Sequence, residues 1–270
     1  MNAAISLTPG DLAIAASLIA FDALMSLVLQ LNLHWKILIA TARLVVQLVA
    51  IGYVLRFIFA LNNPAVTLLL IVIMVLIAAR ETAARSERRF VGQTGLAIGA
   101  ASVASATLIT ALFALTTALR PHPWYDPRYA IPLTGILLGN VLNATSLSLD
   151  SLLGGMAVQK AAVEARLTLG ATYWEAATPY VRDAIRRGLV PIINQMSAAG
   201  VVTLPGIMTG QILAGLDPIE AVKYQILLMF LLAGGSGLAA AGAAYLAAWR
   251  LTDPRQRLRL DRLAAPRNTR

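Results

Sequence analysis

The stretch Ile226–Leu246, "ILLMFLLAGGSGLAAAGAAYL", carries no charged residue over its whole length. An α-helix of about 20 apolar residues is long enough to cross the hydrocarbon core of a bilayer, so this stretch predicts a transmembrane helix. The rest of the chain has the same character, since 58% of its 270 residues are hydrophobic and only 13% are charged. These values predict an all-α polytopic membrane protein, with a single transmembrane domain over residues 1–249.

Other spans of helical length can be read along the chain from hydropathy and from the Pro, Gly and Asn residues between them. Seven helices are predicted, at about residues 11–29, 37–60, 64–79, 94–119, 130–150, 188–214 and 219–248. Pro205 and Gly206 interrupt the sixth, which predicts either two half-helices or a re-entrant loop. No basic residue precedes Lys36, so the first helix lacks the charged start of a cleaved signal peptide and is expected to be retained.

The distribution of Lys and Arg predicts the orientation, because cytoplasmic loops retain positive charge. With the N-terminus outside, the inner segments hold 17 of the 22 basic residues and the outer segments hold Arg120, Arg128 and Lys223. An N-out, C-in topology is therefore expected. Residues 250–270 are then a basic cytoplasmic tail, which predicts a solvated topology anchor or, as an alternative, a lipid- or nucleic-acid-binding patch. The net charge of +9 does not otherwise indicate nucleic acid, since no basic stripe has interleaved aromatic residues.

A polar segment at about residues 151–187 interrupts the apolar pattern and lies on the cytoplasmic side in this topology. Glu164 and Ala165 end one helical run, and Gly170 supplies a turn. Residues 172–178 then form a short helix along the membrane, and Pro179 begins another run. This arrangement suits a surface on which a separate motor protein pushes.

Several classes of protein are excluded or disfavoured by the residues that the chain lacks. It contains no Cys, which excludes disulfides and thiolate metal sites. A P-loop needs a Lys after Gly, and none of Lys36, Lys160 and Lys223 follows a Gly, so ATP hydrolysis by that route is excluded. His34 and His122 fall in loops on opposite sides of the membrane, and no His, Asp or Glu cluster has metal-ligand spacing. The chain is therefore not expected to be an enzyme or to hold a cofactor, and any metal-binding residues stay unknown.

Three segments resemble a known family of transporters. Glu164, Ala165 and Gly170 are similar to the EAA loop of ABC transporter permeases, although Arg166 replaces the second Ala and the later Ile-x-Leu-Pro is missing. The chain looks like the FetB family of iron-export ABC permeases over residues 164–191, residues 42–55, "ARLVVQLVAIGYVL", and residues 204–230, "LPGIMTGQILAGLDPIEAVKYQILLMF". That family also includes plant aluminium-tolerance half-transporters.

The resemblance implies a permease that exports iron or a related metal by alternating access in a bacterial inner membrane. The partners that it implies are a separate ATPase subunit, which binds ATP and Mg, and a second permease subunit. Contact with the ATPase would be made by six residues of the polar segment: Glu164, Ala165, Gly170, Tyr173, Trp174 and Glu175.

Polar residues at membrane depth usually face a protein interior or a water-filled cavity, which makes them candidates for a translocation path. In the fifth helix Asn140, Asn143 and Asp150 fall on one side, because three and seven residues are close to one and two turns. The remaining candidates flank the break in the sixth helix: Asn194, Met196, Pro205, Met208 and Gln211. Hydrogen bonding between helices and ordinary packing are the alternative explanation for both groups.

An ion pair is predicted between the first two helices. Asp22 and Arg43 lie equally far from the hairpin that joins these helices, and Gln47 lies one turn beyond Arg43. Pairing would lower the cost of both charges in the membrane.

Two other functional classes stay open from the residues alone. One is a secondary transporter coupled to an ion gradient through Asp22, Asp150 or Asp217, and the other is a membrane scaffold that transports nothing.

Overall fold

A computed structural model describes residues 8–61, 63–85 and 88–264, and these residues form an all-α protein. The nine α-helices of this part of the chain are α1 (Pro9–Val28), α2 (His34–Leu61), α3 (Pro64–Arg85), α4 (Thr94–Phe113), α5 (Pro127–Val158), α6 (Lys160–Thr168), α7 (Tyr173–Ala198), α8 (Gly206–Leu213) and α9 (Pro218–Arg250). Six of them, α1 to α5 and α9, are long and apolar enough to span a membrane. The predicted polytopic fold is confirmed.

The helices begin where the sequence supplies a cap. Proline occupies the first position of α1, α3, α5 and α9, where its missing N–H costs nothing. The side chains of Thr8, Asp126 and Asp217 accept backbone N–H groups in the first turns of α1, α5 and α9. These local hydrogen bonds determine where α1, α5 and α9 begin.

Helix α5 is the centre of the bundle and packs against α3, α4, α7 and α9. Its closest approach to α7 and α9 occurs at Gly188 of α7, where an added Cβ would lie 2.8 Å from Cβ of Ala240 and 2.9 Å from the carbonyl oxygen of Ala144. At the same level the Ser148 hydroxyl donates a hydrogen bond of 2.9 Å to the Ala240 carbonyl. This three-helix junction holds α5, α7 and α9 together through small residues.

The stripe of small residues along α9 also packs within this chain. Gly235, Ala239, Ala243 and Ala247 are all buried. An added Cβ at Gly235 would lie 3.3 Å from the Thr110 hydroxyl of α4 and 3.4 Å from a methyl group of Val141 in α5. The close spacing of α4, α5 and α9 therefore depends on this stripe.

Helices α1 and α2 form a hairpin at the side of the bundle. They pack mainly on each other, with a small contact between α2 and α5. Only 11% of the spanning window of α1 and 6% of that of α2 is buried within the chain. Most of the hairpin surface is therefore available to lipid or to another protein.

The prediction of a separate short helix at 172–178 is wrong, because α7 is one continuous helix from Tyr173 to Ala198. Proline normally interrupts a helix by removing an N–H donor, and α7 contains both Pro179 and Pro191. The helix continues because tertiary packing outweighs this local preference: Ala176, Ala177 and Val181 lie in one buried cluster with residues of α5 and α9.

The predicted sixth span at 188–214 is also not one helix. Its first part is the end of α7, and its last part is the short helix α8. The break covers residues 199–205, and the N–H of Gly200 donates to the Thr203 carbonyl to close a turn there. The predicted interruption is present, between the full-length helix α7 and the short helix α8.

Helix α7 runs antiparallel to α9 along most of its length. Tyr173 bonds to Ala248, Gly188 lies against Ala240, and Met196 shares a cavity with Gln225. The 26 residues of α7 extend about 39 Å. This length is enough for a membrane crossing beside α9, although α7 is not among the six described helices that qualify by composition.

Candidate functional site

The predicted contact region for a motor protein is built from α6, the turn after it and the start of α7, and we refer to residues 160–178 as the coupling surface. Gly170 sits at the turn with φ +93°, a left-handed conformation that favours glycine. Its N–H donates to the Leu167 carbonyl, and the N–H of Ala171 donates to the Arg166 carbonyl. These bonds end α6 and set the angle at which α7 begins.

A reciprocal cap starts α7. The N–H of Glu175 donates to the Thr172 hydroxyl at 3.3 Å, and the N–H of Thr172 donates to the Glu175 carboxylate at 2.7 Å. The backbone and hydroxyl hydrogen bonds from Thr172 lower the pKa of Glu175. Thr-x-x-Glu is the sequence pattern of a capping box, so this helix start could have been found from the sequence.

Five of the six predicted coupling residues lie on the surface: Glu164, Ala165, Gly170, Trp174 and Glu175. Trp174 is 41% exposed, so a large aromatic side chain is available to a partner. Tyr173 is different, because it is 1% exposed and its hydroxyl donates a hydrogen bond of 2.7 Å to the Ala248 carbonyl. Burial raises the pKa of Tyr173. Tyr173 therefore anchors the coupling surface to α9 and does not reach a partner.

The segment after α9 was expected to be a solvated tail, and the structure corrects this for residues 251–264. Leu251 is fully buried, and Leu258, Leu260 and Leu263 pack against the same buried cluster as Tyr173. Apolar residues recur every few positions in this basic segment, and this pattern was the sequence signal that the segment packs against the bundle. Residues 265–270 lie outside the described part of the chain.

Hydrogen bonds join this C-terminal segment to two other parts of the cytoplasmic side. The N–H of Tyr173 donates to the Gln256 side chain at 2.9 Å. The N–H of Val91 donates to the Arg262 carbonyl at 2.8 Å, and the N–H of Ala264 donates to the Arg89 carbonyl at 2.7 Å. The segment thus connects the coupling surface to the loop between α3 and α4.

A cavity of about 430 Å³ opens between the coupling surface and the C-terminal segment. Trp174, Trp249, Arg250, Asp253 and Arg262 are among the residues that line it. Its wall combines aromatic and charged side chains. Trp, Tyr and Arg are the residues that contribute most of the binding energy in protein–protein interfaces.

The candidate path residues of α5 lie on its less buried side. Asn140 is half-buried and its side-chain amide donates to the Ile136 carbonyl at 3.2 Å, while Asn143 is exposed and Asp150 is half-buried. At the cytoplasmic end, the Ser151 hydroxyl donates to the Asp183 carboxylate at 3.4 Å. The side of α5 that the rest of the chain leaves uncovered is therefore polar at several levels.

The candidates around the break divide into two groups. Met196, Pro205 and Met208 line one cavity of about 410 Å³ between the end of α7, the break and α9. Asn194 is exposed on α7, and Gln211 of α8 is half-buried, with no hydrogen-bond partner for its carbonyl oxygen among the described residues. The structure thus brings three of the predicted residues together and leaves the α5 group apart from them.

Two residues of this cavity were missed by the sequence analysis. Gln225 and Met229 of α9 also line it. Both residues lie far from the break along the chain, so the sequence does not show that they are close to it in space. A Gln within the apolar run of α9 was nevertheless a sign that this position has a special role.

The predicted pair between Asp22 and Arg43 is not formed. Both side chains are exposed, and within the described residues neither they nor Gln47 make a side-chain hydrogen bond or ion pair with one another. Arg43 instead lines a cavity of about 480 Å³ with Met74 and Glu81 of α3. The hairpin is present, since α1 packs on α2, but it does not bring these two side chains into contact.

Within residues 8–61, 63–85 and 88–264 no group of three His, Asp or Glu side chains is placed to hold a metal ion. The chain therefore offers no cluster of these hard or borderline ligands in its described part. Met196 and Met208, two of the predicted path residues, line the cavity beside the break together with Met229. Their thioether sulfurs are potential ligands for a soft metal ion.

Comparisons with known proteins agree with this architecture. The family model described as uncharacterised protein family UPF0014 matches residues 9–251. The UPF0014 membrane protein slr1647 of Synechocystis is 42% identical over 75% of this chain and 77% of its own length. The probable iron export permease protein FetB of Escherichia coli is 30% identical over 96% of this chain and 97% of its own length. The UPF0014 membrane protein STAR2 of rice is 36% identical over 86% of this chain and 79% of its own length.

No solved structure matches the chain. The resemblance to the FetB family is confirmed, because the relatives include FetB of Escherichia coli, STAR2 of rice and the protein ALUMINUM SENSITIVE 3 of Arabidopsis thaliana. Six helices that are long and apolar enough to span a membrane, and a family model that matches residues 9–251, identify the chain as a member of the UPF0014 membrane protein family.

Proposed function

We propose that this chain is the membrane permease subunit of an ATP-driven transporter that moves iron or a related metal species out of a bacterial cell through the inner membrane. The observation that carries the proposal is the similarity to the FetB permease over 96% of the chain. ATP and Mg would bind to a separate ATPase subunit, since this sequence has no P-loop lysine.

The connection between the coupling surface and the membrane supports this proposal. Trp174 and Glu175, in the first turn of α7, are exposed to a partner, while the same helix continues without a break to Met196. A push on a rigid helix at one end moves its other end, so nucleotide-driven motion would reach the break in a single step. The break and α8 would then alternate between two arrangements during transport.

A second permease subunit is part of the proposal. Asp22, Arg43 and Arg56 lie within the spanning helices α1 and α2 and are exposed in the single chain. Charged side chains at membrane depth are costly when they face lipid, so a protein surface is expected to cover them. A second copy of the chain, arranged with two-fold symmetry, would supply that surface.

The test is purification of the chain together with an ATPase subunit, followed by ATP-dependent iron uptake into inside-out vesicles. Trp174→Ala should lose both the ATPase and the uptake, because it removes the largest exposed side chain of the coupling surface. Trp124→Ala is the matched control, since Trp124 is 57% exposed in the loop on the opposite side. Equal ATPase recovery from the two variants would contradict the proposed docking site.

The same vesicles separate this proposal from secondary transport. Uptake that follows a proton or sodium gradient without ATP would support the alternative through Asp22 or Asp150. Asp217 has a different role in the structure, where its carboxylate accepts the N–H groups of Ile219 and Glu220 and caps α9.

A further inference from the structure

The cavity beside the break has an unusual lining, and we call it the methionine pocket. Met196 comes from α7, Met208 from α8, and Met229 from α9, so three separate elements each contribute a thioether. The chain has 7 methionines in total, and 3 of them lie in this pocket. Most of the remaining lining residues are apolar, among them Phe230.

A buried polar group in the pocket indicates a ligand. Gln225 is only 7% exposed, lines the pocket, and its side-chain carbonyl oxygen has no hydrogen-bond partner within the described chain. A buried oxygen left without a partner destabilises a protein, because it has lost its hydrogen bonds to water. Such groups in native structures are normally satisfied by water, an ion or a ligand. The oxygen of Gln225 is enclosed by protein atoms in this structure, and a turn of its side chain toward the pocket would give it a partner there.

The donor set determines what that occupant is. Thioether sulfur is a soft ligand that selects soft metal ions such as Cu(I), whereas hard metal ions prefer carboxylate and water oxygens. The pocket lining contains no Asp, Glu or His. We propose that the methionine pocket binds a soft monovalent cation of the Cu(I) and Ag(I) type through the thioethers of Met196, Met208 and Met229, with the Gln225 oxygen as an additional ligand.

The size of the pocket is compatible with transient binding. Its volume of about 410 Å³ is much larger than one ion needs, so a bound ion would keep water or a small anion beside its sulfur ligands. Transport sites require binding that is favourable enough for entry and weak enough for release. The pocket also touches the break in the chain, where a rearrangement would separate Met208 from the other two sulfurs.

This inference concerns binding by the chain itself and does not depend on ATP-driven transport. The probe is Ag(I), because it has the same soft character as Cu(I) and does not change oxidation state under ordinary buffer conditions. Binding is measured on the purified full-length chain in detergent by titration calorimetry, and X-ray absorption at the silver edge reports whether sulfur is bound to the metal.

Met196→Leu, Met208→Leu and Met229→Leu, made singly and together, keep the apolar volume while removing sulfur. We expect about one Ag(I) per wild-type chain, a loss of about tenfold or more in affinity for each single variant, and no specific binding in the triple variant. Met25→Leu and Met74→Leu are the matched controls, because neither residue lines the pocket, and they should bind as the wild type does.

Several results would overturn the inference: an absence of Ag(I) binding by the wild type, equal binding by the triple variant, or a silver spectrum without sulfur ligands. Should the triple variant fail to fold, the single variants give the same decision, with gel-filtration profiles as the check on folding. Loss of Ag(I) binding with iron uptake intact would separate this site from the cargo path, whereas loss of ATP-dependent uptake with Ag(I) binding intact would bear only on the proposed function.

Discussion

Substituting Gly188 by Ala tests the three-helix junction through which α7 is held against α5 and α9. The new Cβ would lie 2.8 Å from Cβ of Ala240 and 2.9 Å from the Ala144 carbonyl oxygen, whereas ordinary contacts of this kind begin near 3.4 Å. Neither neighbour has a side chain that can rotate away, so the helices themselves must separate. Overpacking of this type destabilises a protein by about 1–3 kcal/mol.

The packing cost of Gly188→Ala is best measured against a second Gly→Ala variant, because both variants gain the higher helix propensity of alanine. Replacing Gly by Ala inside a helix stabilises it by about 1 kcal/mol when no contact is disturbed. Gly234 of α9 has no atom within 4 Å of an added Cβ, so Gly234→Ala should show this gain alone. The difference between the two variants isolates the packing cost and should equal about 1–3 kcal/mol.

The assay is thermal unfolding of both variants in the same detergent, followed by fluorescence-detected gel filtration. A cost of 1 kcal/mol corresponds to about 2–4 °C for a chain of this size class, so Gly188→Ala should unfold several degrees below Gly234→Ala. Equal unfolding temperatures would refute the close packing of α7 at this level.

Three further predictions concern the cytoplasmic side. Tyr173→Phe removes the buried hydrogen bond to the Ala248 carbonyl and should cost about 1 kcal/mol in thermal unfolding. Thr172→Ala removes the cap of α7 and should cost about 1 kcal/mol, with weaker binding of the ATPase in co-purification. The backbone N–H and guanidinium of Arg257 lower the pKa of Asp253 to about 2 from 3.8. This carboxylate therefore stabilises the C-terminal segment above pH 4 and loses that effect as the pH falls towards 2, so pepsin cleavage of the segment should accelerate over that interval.

Matched variants decide each of these outcomes. Tyr245→Phe alters an exposed tyrosine and Thr168→Ala an exposed threonine next to Gly170, so neither should change the unfolding temperature appreciably. Asp253→Asn should show fast cleavage at both pH values, because it lacks the titrating group. A cleavage rate in the wild type that does not depend on pH between 4 and 2 would contradict the assigned role of Asp253.

Much of the membrane fold was predictable because hydrophobic periodicity and length alone identify spanning helices. The Thr and Asp caps with a following proline are visible in the sequence at the starts of α1, α5 and α9, although the first and fifth helices were predicted to begin at about residues 11 and 130, two to three residues late. Local rules failed where tertiary packing decided the outcome, as at Pro179, which stays inside α7 because the alanines before it are buried. They also failed for residues 251–264, since the fold of this basic segment depends on bonds to residues far away in the chain, such as that between Gln256 and Tyr173.

The candidate site was predictable in part. Surface position was correct for most of the coupling residues, because a polar helix between apolar spans is expected to be exposed. Tyr173 was the exception, and only its contact with Ala248 reveals the anchoring role. Met196 and Met208 were found from their closeness to the break, whereas Met229 and Gln225 required the antiparallel pairing of α7 with α9. Equal distances of Asp22 and Arg43 from the hairpin were not enough to predict a contact, because a pair also requires both side chains to lie on facing sides of their helices.

The central claim is that α7 carries motion from a cytoplasmic coupling surface to a break on the outer side. The chain contains no Cys, so a single introduced Cys is a unique label. Glu175→Cys at the start of α7 and Val201→Cys in the break, both at exposed positions, are to be reacted with a membrane-impermeant maleimide in right-side-out and inside-out vesicles. We predict that Val201→Cys reacts only in right-side-out vesicles and Glu175→Cys only in inside-out vesicles; reaction of both from one side, or the reverse pattern, would contradict the account.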